Sequence, residues 1–126
     1  MGMMKWLSLI AGGVIGTVSR YLLAWLVYRG FGDNFPYGTL AVNLTGCAIL
    51  GFILGINEKK FFLTHDMQIL LVTGFCGAFT TFSALILESS NLMRGGAVVP
   101  AFLNLLISIV AGLLVFKLGL ALTSFI

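Results

Sequence analysis

The sequence predicts an all-α integral membrane fold: four transmembrane helices, the third of them broken, in a single domain covering residues 1–126. Three observations carry this. Hydrophobic residues make up 60% of the chain and charged residues only 9%, with a mean hydropathy of +1.11. A soluble domain of this length buries too small a share of its surface to hide so much apolar side chain, so lipid must be its solvent. The apolar residues also fall into four stretches, approximately 6–28, 37–56, 67–93 and 98–125. Each is close to the roughly 20 residues that cross a hydrocarbon layer about 30 Å thick. Finally, the third stretch contains Gly74-Phe75-Cys76-Gly77-Ala78-Phe79-Thr80-Thr81, whose two glycines and adjacent threonines make an unfavourable helix interior.

Span one carries Gly12, Gly13 and Gly16 on what reads as one face for close helix packing. It is too long for the core of a secretion signal and lacks a small-residue cleavage site, so it is expected to stay in the protein. Two-thirds along it stands Arg20. An arginine at membrane depth is costly. It has two readings: it snorkels or pairs with Glu88, or its charge draws anions toward a vestibule. The loop 29–36 has Gly-Asp-Asn turn chemistry, and Pro36 and Pro100 stand near span entrances, where a helix tolerates proline. Trp6, Trp25, Tyr28 and Tyr37 suit interfacial belts.

Span two places Thr39 and Asn43 four apart on one face, continued by Gly46 and Cys47, with Gly51 and Gly55 as a second small-residue pair. Asn43 is either glue between helices or a pair of amide donors facing a path. Span three is expected to be capped by Thr64 or Asp66. If its helix breaks at 74–81, the freed carbonyls suit a hard cation and the freed amide end suits an anion. The bland alternative is a kinked helix with its threonines bonded to their own backbone. Beyond the break, the positive ring edge of Phe82 can face an anion without a full charge. Span four repeats the polar stripe with Asn104, Ser108 and Gly112.

An even number of spans puts both ends of the chain on one side with the loop 57–66. That side holds Lys5, Lys59, Lys60 and a snorkelling Lys117, against Arg29, Arg94 and Arg20 on or toward the other. So small a bias leaves two outcomes: a weak N-in preference, or insertion both ways and an antiparallel, dual-topology homodimer. The net charge of +3 is scattered, which gives no nucleic-acid footprint. Cys47 and Cys76 read as small packing residues. His65 is the single histidine, with no carboxylate or cysteine cluster at ligand spacing, so an enzyme is not expected.

Three motifs then carry a resemblance. Gly12-Gly13-x-x-Gly16-x-x-x-Arg20-Tyr21, Gly38-Thr39-Leu40-x-Val42-Asn43-Leu44-x-Gly46 and Thr73-Gly74-Phe75-Cys76-Gly77-x-x-Thr80-Thr81-Phe82-Ser83 resemble the signatures of the Fluc/CrcB fluoride channels, in order along all four spans. The resemblance implies a passive, fluoride-selective channel of the bacterial inner membrane. It further implies an antiparallel homodimer with two pores and a central structural Na⁺, held by the backbone carbonyls of Gly77 and Thr80. By the same resemblance Asn43 is a vestibule donor, Phe82 a ring edge on the path, and Thr81, Ser83 and Ser108 hydroxyls near it. Thr39 and Arg20 fall within the matched motifs. Leu85 and Gly112 depart from the pattern, standing where a second Phe and a second span-four hydroxyl are common. Two other classes fit the size: a proton-coupled exporter of cationic drugs, which needs a span-one carboxylate that this chain lacks, and a non-transporting assembly subunit.

Overall fold

The computed structural model describes residues 2–60 and 63–126, all of them helix or connecting turn, with no strand among them. The helices are α1 (Met3–Phe31), α2 (Tyr37–Lys60), α3 (His65–Gln68), a π-helical segment (Ile69–Cys76), α4 (Gly77–Phe79), α5 (Phe82–Arg94) and α6 (Val98–Leu122), closed by a short 3₁₀ turn. Together they make four spans long and apolar enough to cross a membrane, Met3–Phe31, Tyr37–Lys60, His65–Arg94 and Val98–Phe125. The chain is thus a multi-pass membrane protein. Among the described residues the buried apolar core is small: Val42, Cys76, Phe79, Leu85 and Ala101. Large apolar side chains such as Val14, Leu22, Leu106 and Leu113 point outward, as lipid requires.

Where apolar burial is worth little, close backbone approach holds helices together. A Cβ on Gly51 of α2 would run into the Phe116 carbonyl of α6, and one on Gly119 of α6 into the Ala48 carbonyl of α2. On the other flank, a Cβ on Gly12 or Gly16 of α1 would strike the backbone at Leu70 or Phe75. Gly13 meets nothing within 4 Å, so the packing face of span one is narrower than the sequence suggests. Left-handed glycines make the turns: Gly32 (φ 78°) ends α1 and Gly96 (φ 84°) separates α5 from α6. At the α1–α2 end, Tyr37 packs against Phe31 and Phe35, and Arg29 lies 4.7 Å over the Trp25 ring, an aromatic belt of the expected kind.

The third span is where regular helix fails. Thr64 caps its start, its Oγ1 accepting from the Met67 amide at 3.3 Å. The helix then widens over Ile69–Cys76 into the π form, which the sequence does not announce. It resumes for Gly77–Phe79 and stops at Thr80 (ψ 159°) and Thr81 (φ −151°), both extended. The kinked-helix alternative is set aside: the helix is broken. Thr81 then caps the start of α5, accepting from the Ala84 amide at 3.3 Å.

Two alanine substitutions test the packing. Gly51→Ala must displace backbone and is expected to cost about 1–3 kcal/mol. Gly13→Ala meets open space and should be neutral or slightly stabilising, by up to about 1 kcal/mol. Thermal unfolding of the two variants in detergent checks the contrast.

Candidate functional site

The break leaves backbone polar groups stranded within a span. Asn43, facing it from α2, takes both backbone groups of one residue. Its Oδ1 accepts from the Thr81 amide at 2.7 Å, and its Nδ2 donates to the Thr81 carbonyl at 3.0 Å. Little more than one turn of α2 does this work: Val42 is fully buried, Asn43 clamps, and Gly46 admits the Thr80 methyl and the Phe79 ring. Phe79 itself is buried and stacks on Phe75 at 5.4 Å. The Thr80 amide and hydroxyl both turn back to the Cys76 carbonyl, at 3.1 and 2.9 Å.

Two sets of backbone groups remain. Among the described residues, no donor reaches the carbonyls of Gly77 through Thr80, because the chain turns extended before the next helical turn can form. On the other side, the amides of Phe82 and Ser83 open α5 with no helical carbonyl before them. The two stumps of the broken helix therefore present opposite partial charges, oxygens from α4 and N–H groups from α5.

Beside the break lies a cavity of about 380 Å³. It gathers six of the residues expected at a site: Asn43, Gly77, Thr80, Thr81, Phe82 and Ser108. The Ser108 hydroxyl is buried without a partner among the described residues, whereas Asn104 on the same stripe donates to Ser89 at 3.0 Å as helix glue. The Phe82 side of the break is not closed by this chain: the Phe82 residue is 73% exposed, and Ser83 and Gly77 are exposed beside it. Ser83 lies outside the cavity lining, 3.4 Å from the Thr81 hydroxyl.

Two expected residues sit elsewhere. Thr39 donates to Glu88 Oε1 at 2.7 Å, with the Tyr28 hydroxyl at 3.4 Å from the same oxygen. Glu88 lines a second cavity of about 460 Å³ near the α1–α2 turn, with Asp33, Asn34 and Asn91. The Glu88 carboxylate is therefore held by hydroxyls and not by Arg20, the partner the sequence offers for it. Arg20 is half-buried and lines neither cavity. The sequence also missed that Cys47, Cys76 and Leu85 line the same cavity as Asn43 and Thr81. Their spacing of 29 and 38 residues gives no periodic signal, since different helices supply them.

Four apolar spans, one broken at membrane depth beside a cavity that Asn43, Thr80, Thr81 and Ser108 line among apolar side chains, define the class of small polytopic proteins that handle ions within the bilayer. Within that class the relationship is specific. The family model described as "CrcB-like protein, Camphor Resistance (CrcB)" matches residues 7–120. The chain is 45% identical over 112 residues to the "Fluoride-specific ion channel FluC" of Chlorobium phaeobacteroides (strain BS1), covering 89% of this chain and 87% of the relative. It is 42% identical to the FluC of Maridesulfovibrio salexigens, covering 82% of each chain. The FluC of Azobacteroides pseudotrichonymphae genomovar. CFP2 is 40% identical over 98% of this chain and 99% of its own. The chain belongs to the CrcB family. These relatives are named as ion channels, a function that is not enzymatic.

The clamp makes a direct test. Asn43→Ala leaves both the Thr81 amide and the Thr81 carbonyl unpaired, at about 1–3 kcal/mol for each buried group. Hydrogen exchange at the Thr81 amide is expected to accelerate at least about tenfold, the equivalent of 1.4 kcal/mol. Exchange measured in a lipid nanodisc checks it.

Proposed function

We propose that this protein is a passive, fluoride-selective channel of the bacterial inner membrane, acting as an antiparallel homodimer with two pores. The broken third span carries the proposal, because it puts unpaired N–H groups within the bilayer next to a cavity that Asn43, Thr81 and Ser108 line. Family membership and the names of the relatives support the choice of ion.

Fluoride is small and tightly hydrated, so a selective path must replace its water with several donors. None can be so strong that the ion stays bound. The Phe82 and Ser83 amides supply such donors, reinforced by the positive end of α5. The Thr81, Ser83 and Ser108 hydroxyls and the Phe82 ring edge add further weak ones. Asn43 holds the Thr81 peptide, which fixes where α5 starts; its second amide hydrogen is left for the ion. Leu85 gives this path an apolar wall in place of a second ring. Arg20 and the excess of basic over acidic residues, 7 against 4, favour anions at the mouths.

A second copy completes the site. Phe82, Ser83 and Gly77 lie on a face that this chain leaves open, and lipid cannot satisfy the backbone oxygens there. Apposed copies of α4 related by a two-fold would bring carbonyls of Gly77 and Thr80 together. Neutral hard oxygens suit Na⁺, and no group of three or more His, Cys, Asp or Glu among the described residues offers a rival metal site. A bound Na⁺ would screen the facing carbonyls and hold the two copies together. The near balance of basic residues between the two ends suits insertion in both orientations.

Efflux of fluoride from liposomes containing only this protein tests the proposal. Rapid, electrogenic, fluoride-over-chloride efflux is expected. Proton-coupled cation flux would point to an exporter, and silence in folded protein to an assembly subunit. Asn43→Asp turns the donor to the Thr81 carbonyl into a charge beside the amides of α5, and should lower fluoride efflux by about tenfold or more while the dimer stays folded. Replacing Na⁺ by a large organic cation should lower the melting temperature, and adding Na⁺ back should restore it with saturation. A melting temperature indifferent to Na⁺ would remove the central cation.

A further inference from the structure

Cys47 on α2 and Cys76 on the π-helical segment are both free thiols, and both line the 380 Å³ cavity beside the break. Cys76 is otherwise enclosed by protein, with 3% of the residue exposed. Its carbonyl is already occupied by the Thr80 amide and hydroxyl, so the residue is tied to the break through its backbone while it lines the cavity. Among the described residues, no carboxylate lines this cavity. A hard cation entering it finds neutral oxygens; a soft one finds two sulfurs from different helices.

We propose that Cys47 and Cys76 make this cavity a binding site for soft, thiol-seeking cations, of which a monovalent organomercury ion is the simplest. The chemistry suits a site of low polarity. A neutral thiol and a methylmercury ion give a neutral S–Hg adduct: the S–H bond breaks, the S–Hg bond forms, and the proton leaves to the buffer. Nothing is oxidised or reduced, and no bare thiolate persists in the cavity, where an unpaired charge is costly. The adduct stands beside Asn43, Thr81 and Ser108 and fills space that an ion needs. The blocking consequence rests on the fluoride-channel reading; the binding itself does not.

The test uses methylmercury chloride on the native dimer in liposomes, followed by intact-protein mass spectrometry and fluoride efflux. Two adducts per chain are expected, located at Cys47 and Cys76 by proteolytic mapping. Cys47→Ser and Cys76→Ser should each take one, and the double variant none. Native efflux should fall by about tenfold or more on treatment. The double variant should run at the same rate before and after treatment, whatever that rate is. The proposal is overturned if folded native protein takes no adduct while the same protein unfolded in detergent takes two. Full adduct formation with unchanged efflux would overturn the blocking role. If untreated protein shows no efflux, the channel reading fails, and the adduct count on native protein still decides the site.

Discussion

Backbone released from its helix inside a bilayer has only protein to bond to, and the arrangement of this molecule follows from how one such residue is satisfied. The Thr81 amide and carbonyl are both held by the Asn43 side chain. That pairing fixes the distance between α2 and the break, and the neighbouring residues conform to it. Gly46 has no side chain because Thr80 and Phe79 occupy its space, and Gly12 and Gly16 let α1 lie against the backbone that leads into the break. The π-helical segment seats Gly74 against Gly12 with their backbones in contact, a Cβ at Gly74 coming to 3.1 Å from the Gly12 Cα. Stability and site geometry therefore share the same atoms.

The break also explains how a chain with so few charges can act on ions. Ending one helix and starting another at membrane depth turns out unpaired oxygens on one stump and unpaired amides on the other. A full charge at this depth costs several kcal/mol and would trap its counter-ion. Partial charges on backbone fixed by packing avoid both difficulties. In the proposed dimer the oxygens take a cation that stays, and the amides pass an anion that moves. Glu88, the carboxylate in the second half of the third span, is withdrawn from this region and bound by Thr39 and Tyr28.

Much of this was legible in the sequence for reasons of period and solvent. Apolar runs of bilayer length located the four spans, and glycines beside paired threonines located the break. Thr64 was readable as a cap because capping is local. What the sequence hid was contact between distant segments. Asn43 read as helix glue ahead of an ion donor, and its true partner lies 38 residues away. Arg20 and Glu88 were plausible partners by charge, yet the carboxylate is satisfied by hydroxyls. Cys47 and Cys76 looked like small packing residues; only the fold shows that both face the cavity. The π-helical widening at Ile69–Cys76 left no mark, since its residues are ordinary apolar ones.

The central claim is that the amide end of α5 is where fluoride is met. Backbone amide resonances of ¹⁵N-labelled protein in lipid nanodiscs, followed through a fluoride titration, test it most directly. The account predicts that the Phe82 and Ser83 amides shift with fluoride and not with chloride, while amides at the far end of α5, such as Met93, stay still. Fluoride permeation with the Phe82 and Ser83 amides unmoved would contradict it.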